Sequence, residues 1–327
     1  MAIFRKQLKV LTYADSLDQV VNLGNTEYLR KLEIEFAGTL TAAGGSSDGT
    51  LKEDGLLKTI LKALTFTANG SDPFALPQGI SEYYRRAIMS GSPGVLVSTM
   101  PTGAASTSQR AHVVVDFDQI QSAAKFAGRI AAARLGSLDL RLQAGAVETD
   151  MVTGGDRTES MTGTLTITAV FDSDPKAYRG GGKRIGYKRL QVTAADTAAR
   201  VNLPSGQFIA DILLYVVDNG VKANTLVTDV SVKVGERDER VKDTFLNLQS
   251  ENVEKFGLEL SSGAPPYTGI ALIHFDEDGD MRPSKLLNTV GLRTEGAVLQ
   301  LNVGAPTGTA YVDVFTYGVD PAGVGRS

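Results

Sequence analysis

The 327-residue chain contains no cysteine and no tryptophan. The absence of cysteine excludes thiol catalysis, disulfide bonds and cysteine-ligated zinc. Lysine and arginine number 33 against 37 aspartates and glutamates, so the net charge is −4 and no basic field points to nucleic-acid binding. No stretch approaches the roughly 20 apolar residues of a transmembrane helix. The first residues also lack the apolar centre and cleavage site of a signal peptide, which predicts a soluble chain made in the cytoplasm.

The residues that are present are those of an ordinary globular protein. Hydrophobic residues make up 42% of the chain and charged residues 21%, which are usual values for a folded soluble domain. The 35 glycines suit a fold with many turns. A chain of this length is long enough for two domains.

Two apolar stretches, one in each half of the chain, resemble each other. Val113–Asp118 and Leu272–Asp276 both end in Phe-Asp, and the two Phe-Asp pairs are 158 residues apart. An alternating run follows each stretch, over Leu138–Ala146 and Val298–Ala305, and these runs repeat after 159 residues. The two halves of the chain therefore share a pattern in one order.

A third pair of stretches supports the same repeat. Leu29–Glu35 matches Tyr187–Thr193 with an offset of 158 residues. Three anchors with one offset indicate an internal duplication. Because the repeats of solenoid proteins are only roughly 20–50 residues long, each of these longer units is predicted to be a domain in its own right.

Short strands at intervals of roughly 8–12 residues dominate both units. Apolar and polar residues alternate in most of them, whereas Ala111–Phe117 and Gly269–Phe275 are apolar at successive positions, which predicts burial on both faces. The helices that a βαβ fold needs between its strands are missing from the pattern. The sequence therefore predicts an all-β fold of two tandem jelly-roll β-sandwiches, a double jelly roll.

One short helix is predicted late in each unit. Asp118 is a suitable N-cap for an amphipathic helix that runs to about Leu135. Pro283–Val290 is its counterpart, with proline near the first turn and a glycine just past the end. An earlier helix is predicted over Ser81–Met89, and Ser250–Phe256 is its weak repeat.

The repeat divides the chain into four parts. Residues 1–28 are predicted to be an N-terminal arm, and residues 29–176 the first jelly roll. Residues 177–186 include the run Arg179–Lys183, which is rich in glycine, and are predicted to be a linker. Residues 187–327 are then the second jelly roll.

The first ten residues are basic and amphipathic. Arg5, Lys6 and Lys9 alternate loosely with apolar side chains. Such an arm can lie on an anionic membrane surface or on a neighbouring subunit. A terminal segment that packs on its own domain is the alternative, and the pattern leaves both open.

The only dense acidic cluster is a candidate metal site. Asp276, Asp278 and Asp280 stand at alternate positions around a glycine, and such carboxylates can wrap calcium. The spacing is not that of an EF-hand. A solvated acidic turn explains the same residues, so calcium is a hypothesis and no cofactor is required by the sequence.

No constellation of catalytic residues stands out. His112 and His274 both lie in predicted buried strands, with no nucleophile elbow to pair with them. The Gly180–Lys183 run does not have P-loop spacing. Tyr83–Arg86 is able to stack on nucleic acid, but packing of an amphipathic helix explains it as well. We therefore predict a protein that is not an enzyme and binds no specific nucleic acid.

Two tandem sandwiches, the repeated Phe-Asp strand, a linker rich in glycine and a basic arm together resemble a double jelly-roll major capsid protein. The resemblance is to the coat proteins of tailless icosahedral bacteriophages with an internal membrane, of the corticovirus and tectivirus types. It covers roughly residues 11–320.

The resemblance implies a viral structural protein. Three copies would form a pseudo-hexagonal capsomer of an icosahedral shell around an internal membrane. Partners would be further copies of the chain, penton or accessory capsid proteins, and lipid through the arm. The protein would be found in the virion capsid, and in the host cytoplasm during assembly.

Two other functions fit the predicted fold. A carbohydrate-binding or glycan-processing protein can use the same scaffold, but such sites favour aromatic platforms, and only 7% of the residues are aromatic. A tail-tube or spike component is the third hypothesis, and the tandem duplication counts against it.

Overall fold

The computed structural model divides into two compact units. The first contains Met1–Tyr83, Pro93–Asp118 and Arg129–Tyr178. The second contains Arg179–Ser327 and also takes in Tyr84–Ser92 from the first half of the chain. The structure describes residues 3–24, 27–69, 71–76, 79–91, 94–117, 129–173, 183–235, 238–259, 267–276, 284–292 and 296–320, with 71–76 and 238 described by their backbone only.

The first unit is built almost wholly of strands. They are β1 (Ile3–Thr12), β2 (Asp18–Asn22), β3 (Tyr28–Ala43), β4 (Thr50–Leu51), β5 (Ala63–Ala68), β6 (Ser71–Leu76), β7 (Leu96–Val97), β8 (Ser106–Asp116), β9 (Ile130–Ala131), β10 (Leu138–Gln143), β11 (Val152–Thr153) and β12 (Thr158–Asp172). Among the described residues of this half of the chain, the helical segments are α1 (Gly55–Ile60), α2 (Ile80–Ser90), a 3₁₀ turn over Ala132–Arg134 and a π turn over Val147–Met151.

Two antiparallel sheets form the first sandwich. One has the order β1-β12-β3-β8-β7, with β9 also paired to β3, and the other has the order β2-β10-β5-β6. The predicted alternation holds in β10, where Leu138, Leu140 and Leu142 are fully buried while Arg141 is exposed. Side chains of alternate residues point to opposite faces of a strand, so this pattern turns the apolar face toward the core.

The second unit repeats this arrangement. Its strands are β13 (Lys183–Val192), β14 (Asp196–Asn202), β15 (Phe208–Asp218), β16 (Val221–Lys222), β17 (Val227–Val234), β18 (Asp238–Thr244), β19 (Ile270–His274), β20 (Leu287–Asn288), β21 (Ala297–Val303) and β22 (Ala310–Val319). Helix α3 (Phe245–Phe256) follows β18; Thr244 caps its first turn, and Gly257 ends it in the left-handed conformation.

The sheets of the second unit have the orders β13-β22-β15-β16 and β14-β21-β17-β18, and β19 and β20 both pair with β15. One apolar core lies between them and includes residues of β15, β17, β21 and β22. All eleven residues of β15 are buried, because its outward face is covered as well as its inward face.

Strand order defines the fold class. If the eight principal strands of each unit are counted along the chain, one sheet has the order 1-8-3-6 and the other 2-7-4-5 in both units. This is the connectivity of a jelly roll. The predicted all-β fold of two tandem jelly rolls is therefore confirmed.

Two of the three anchors of the repeat are equivalent in the structure. Phe117 and Phe275 each follow the sixth strand of their unit, and the alternating runs form the seventh strands, β10 and β21. The third anchor was wrong. Leu29–Glu35 lies in β3, the third strand of its unit, whereas Tyr187–Val192 lies in β13, a first strand. Alternating residues look alike in any half-buried strand, so this match reflected a shared period and not a shared position.

The domain boundaries in the structure differ from those predicted from the repeat. Residues 1–28 were expected to be an arm outside residues 29–176, but β1 and β2 are strands of the first unit. Residues 177–182 of the expected linker 177–186 lie outside the described residues, and Lys183 already begins β13.

The late helices also differ from expectation. Most of the helix expected from Asp118 lies outside the described residues, and its end is β9 with a 3₁₀ turn. The helix expected over Pro283–Val290 is wrong from residue 284 onward, where a turn leads into β20. Leu287 is buried, and β20 bonds to β15, so pairing with the sheet outweighs the local helix signals. The earlier helices are confirmed as α2 and α3.

Candidate functional site

The predicted basic contact residues lie on an edge strand. β1 pairs with β12 from Ile3 opposite Asp172 to Thr12 opposite Thr164, and its other edge bonds to no strand among the described residues. Arg5 and Lys6 are exposed, and Lys9 is half-buried. The segment therefore belongs to the first sandwich and still presents cations at its surface.

Contacts within the first unit hold β1 in place. The Arg5 guanidinium donates to the carboxylate of Glu33, which is buried. Burial raises the pKa of Glu33, but Arg5 and Lys31 outweigh that effect and the net shift is downward. The Phe4 ring stacks on Phe171 with centroids 5.6 Å apart. Both contacts are consistent with a first strand that is fixed and not a loose tail.

Of the acidic turn Asp276–Asp280, the structure describes only Asp276. Asp276 is 2% exposed, and its main-chain oxygen lies 2.8 Å from Nε2 of His274. Asp278 and Asp280 lie outside the described residues. In the part of the chain that the structure describes, no three His, Asp or Glu side chains are grouped so that they could hold a metal ion.

A buried charge network in the second unit was not expected from the sequence. Nε and Nη2 of Arg85, on α2, lie 2.9 and 2.6 Å from Oδ2 of Asp211. Nδ1 of His274 lies 2.5 Å from the other carboxylate oxygen of Asp211. The guanidinium also lies 4.4 Å from the centre of the Tyr317 ring. Arg85 and Asp211 are 1% and 0% exposed, so this network is enclosed.

Strand register assembles the network. Asp211 of β15 is the pairing partner of His274 across β19 and of Tyr317 across β22. A bulge between Ile209 and Asp211 shifts the register beside β22 at this point. Sequence reasoning missed the group because its members are distant along the chain. The one available signal was an aspartate within the apolar run of β15.

Electrostatics keep Asp211 ionised. Burial alone raises the pKa of this carboxyl, but the charges of Arg85 and His274, with their hydrogen bonds, lower it to about 2. A buried charge is tolerated when it is paired and hydrogen-bonded in this way. His274, predicted to lie in a buried strand, has both ring nitrogens at hydrogen-bond distance from oxygens. His112 is half-buried in β8.

The first unit contains a simpler buried ion pair. Nη1 of Arg129 lies 2.9 Å from Oδ2 of Asp172, and both side chains are 1% exposed. Asp172 is the last residue of β12, so the pair closes that end of the strand. No sequence motif marked either residue.

Carboxylates also fix the loops at one end of the first unit. Oδ1 of Asp156 accepts the main-chain N–H groups of Ser46 and Ser47 at 2.7 and 2.6 Å, and these bonds lower the pKa of Asp156. Asp48 accepts from the N–H of Gly103 at 3.0 Å and from Arg157 at 2.7 Å. The loop after β3 is therefore tied to the loop before β12 and to the one before β8.

A polar hollow of about 510 Å³ lies on the four-stranded sheet of the second unit. Asp229, Lys233, Glu239 and Gln300 are among its lining residues, and none of the described lining residues is aromatic. Its polar groups bond to one another, as Lys233 does to Gln300 at 3.0 Å. The described lining thus offers no aromatic platform of the kind expected of a carbohydrate site.

Solved structures share this fold along the whole chain. A structure described as the STIV MCP superposes with a TM-score of 0.77, 14% identity and 98% coverage of both chains. A chain from the atomic structure of Sulfolobus Turreted Icosahedral Virus gives 0.76 and 15%, covering 98% of this chain and 91% of that one. The major capsid protein P2 of Bacteriophage PM2 gives 0.59 and 10%, with 97% and 98% coverage. No family model matches the sequence, and no curated protein matches it.

These similarities establish the class of fold. The chain has the double jelly-roll architecture found in major capsid proteins of viruses. At identities of 10–15% the similarity concerns the arrangement of the chain and not individual residues.

None of the helices in the described part of the chain has the length and apolar character needed to span a bilayer.

Proposed function

We propose that this chain is a viral structural protein, the major capsid protein of an icosahedral shell. The observation that supports this most directly is the extent of the shared fold. The STIV MCP and this chain cover 98% of each other, so both jelly rolls and their order in the chain correspond. In this role the protein is not an enzyme, and its functional surfaces are those through which subunits contact one another.

The proposal includes a homotrimer. A subunit with two similar sandwiches presents six in a trimer, so one chain can occupy six-fold lattice positions with three-fold symmetry. Closed symmetry is the usual state of homo-oligomers. Other copies, penton proteins and accessory capsid proteins are the partners that this role requires, and the virion capsid is its location, with the host cytoplasm as the place of assembly.

Sedimentation equilibrium of the purified chain tests the oligomer. We expect a stable species of three times the 34.7 kDa chain mass, and hexagonal arrays of that species in electron micrographs. A chain that stays monomeric over a hundredfold range of concentration would contradict the capsomer, and a glycan screen would then test the carbohydrate-binding alternative.

The finer assignment, a corticovirus-like or tectivirus-like bacteriophage shell around an internal membrane, is also a proposal. Its support is the basic surface of β1, where Arg5, Lys6 and Lys9 lie beside the exposed side chains of Ile3 and Phe4. Cations close to an anionic lipid surface contribute about 1 kcal/mol each to binding.

Vesicle co-sedimentation tests the lipid contact. The variant R5Q/K6Q/K9Q should bind phosphatidylserine vesicles at least tenfold more weakly than wild type in 0.1 M salt. A control variant, R200Q/K188Q/K242Q, removes three exposed cations from the second unit and should bind normally. Equal losses in both variants would show a non-specific charge effect and remove the role given to β1.

A further inference from the structure

The outward face of the third strand is covered in the second jelly roll and open in the first. In β15, three residues alternate with those of the core and point away from it: Leu213, Tyr215 and Val217. All three are at most 1% exposed. Residues 84–90 of α2 belong to this unit, and the Tyr84 ring lies 6.2 Å from that of Tyr215. In β3, by contrast, Ala37 is exposed and Lys31 and Glu35 are half-buried.

A bulge in each third strand shows which residues of β3 and β15 correspond. Beside the eighth strand of each unit, the register shifts at Arg30 in β3 and at Ala210 in β15. The main-chain oxygens of these two residues accept the N–H groups of Phe117 and Phe275, the two repeated phenylalanines. The residue that follows the bulge therefore has the same place in both jelly rolls.

The charge at this shared place is reversed between the units. It is Asp211 in the second unit, where Arg85 of α2 supplies the cation at 2.6 Å. It is Lys31 in the first unit, where the ammonium lies 3.3 Å from Glu33. Arg5 binds the same carboxylate, so two cations share one anion on this face.

The helices that correspond to each other are also reversed in charge. Both α2 and α3 lie between the fifth and the sixth principal strand of a jelly roll. Each is followed by a glycine in the left-handed conformation, Gly91 with φ of 63° and Gly257 with φ of 62°. Arg85 stands six residues before the first glycine, and Glu251 stands six residues before the second. An anion on α3 thus corresponds to the cation on α2.

The side of α3 that carries Glu251 is open to solvent. Glu251 and Glu254 are exposed, and Leu246 is 55% exposed although it is a large apolar residue. Burial raises the pKa of Glu251, and the carboxylates of Asp243 and Glu254 raise it further, against the opposing effect of Lys255. A cation from outside the unit would therefore be favourable beside Glu251.

We propose that α3 of one copy covers the open face of β3 in a neighbouring copy, where Glu251 pairs with Lys31. Asp116, which pairs with Lys31 from β8, is only 7% exposed, whereas the Lys31 side chain is 33% exposed and can meet the neighbour. The inference rests on the proposed homotrimer and names its contact. The packing of α2 on β15 is repeated between copies, head to tail, and three such contacts close a ring.

Charge reversal tests the contact, with sedimentation equilibrium of the full chain as the measurement. K31E and E251K each bring like charges together and should raise the protein concentration for half-dissociation of the trimer by about tenfold or more. K31E/E251K exchanges the two charges and should restore that concentration to within about threefold of wild type. E148K and R200E reverse exposed charges elsewhere in the two units and should leave the trimer unchanged.

A cross-link tests the same contact without relying on charge, because the chain has no cysteine of its own. K31C/E251C treated with a short bis-maleimide should give covalent dimers and trimers on a denaturing gel. K31C/E148C is the matched control and should run as a monomer.

The outcomes separate this contact from the homotrimer itself. A trimer that K31E and E251K leave intact, a double variant as weak as the single ones, or no cross-linked species would overturn the contact and leave the homotrimer in place. A wild-type chain that stays monomeric would overturn both. Circular dichroism checks the folding of each variant, and if K31E does not fold, the comparison of E251K with E148K still decides.

Discussion

The first strands of the two jelly rolls occupy the same place in their sheets, but their basic side chains differ in ion pairing and in exposure to solvent. β1 carries Arg5, Lys6 and Lys9, and every side chain from Ile3 to Gln7 is exposed. β13 carries four basic residues, and two of them, Arg184 and Arg189, form ion pairs within the second unit.

The pairing of the β13 cations is extensive. Nε and Nη2 of Arg189 lie 2.6 and 2.7 Å from the two carboxylate oxygens of Asp313, which is fully buried. Nε of Arg184 lies 2.8 Å from Asp320, and Lys183 is itself buried. Arg5 has Glu33, but its side chain stays 66% exposed. The arginines of β13 are thus more tightly paired than Arg5 of β1, whose ion pair lies at the surface.

The two units also differ in their buried ion pairs, Arg85–Asp211 in the second unit and Arg129–Asp172 in the first. Removing these pairs is expected to have the largest effect on stability. D211N removes the carboxylate charge that Arg85 and His274 share, so the buried guanidinium loses its ion pair with Asp211. We expect a loss of about 3–5 kcal/mol in the free energy of unfolding of the second unit, measured by urea titration. D172N, which removes the carboxylate charge beside Arg129, should cost less. Equal losses would contradict the idea that His274 shares the charge of Asp211.

The dependence of stability on pH gives a second test of the role of Asp211. The pKa of Asp211 lies at about 2 in the folded chain, below the ordinary value of 3.8. A lowered pKa means that the stabilisation is complete above about pH 4 and disappears as the pH falls toward 2. We expect thermal melts between pH 5 and 2 to show a loss of stability in wild type that is smaller in D211N. The same acid dependence in both proteins would mean that other carboxyls control it.

A smaller difference is expected between the two first strands. R189Q removes the bidentate ion pair with the buried carboxylate of Asp313 and should lower the free energy of unfolding by about 1–3 kcal/mol. R5Q removes a bond from a mostly exposed side chain and should cost under about 1 kcal/mol. Chemical denaturation of both variants measures the difference. A larger loss for R5Q would show that β1 is held chiefly by Arg5.

Period and composition were sufficient to predict the double jelly roll, because alternating runs can hardly form anything but half-buried strands. The apolar interior of β10 follows directly from its three leucines. The offset between repeats was harder to assign. Leu29–Glu35 and Tyr187–Thr193 share a period, and only strand pairing shows that they belong to different positions in their sheets.

The charged network was beyond sequence reasoning for a related reason. Arg85 lies 126 residues before Asp211, and the register of β15 with β19 and β22 brings the group together. Likewise, only the pairing of β13 with β22 brings Gly186 opposite Thr316. Such features arise from pairing between strands that are distant along the chain, which no local pattern encodes.

The smallest expected effect concerns calcium. The segment after the second repeated Phe-Asp strand carries the acidic turn Asp276–Asp280, and the question is whether this turn binds the ion. Because Asp276 is buried and its carbonyl lies against His274, it is poorly placed to hold an ion at the surface. We expect 5 mM calcium and 5 mM EDTA to give melting temperatures within about 1 °C of each other. The variant D278N/D280N is the matched control. A rise of several degrees with calcium in wild type, absent from that variant, would mean that the acidic turn binds the ion through Asp278 and Asp280, and it would restore calcium as a ligand of the second jelly roll.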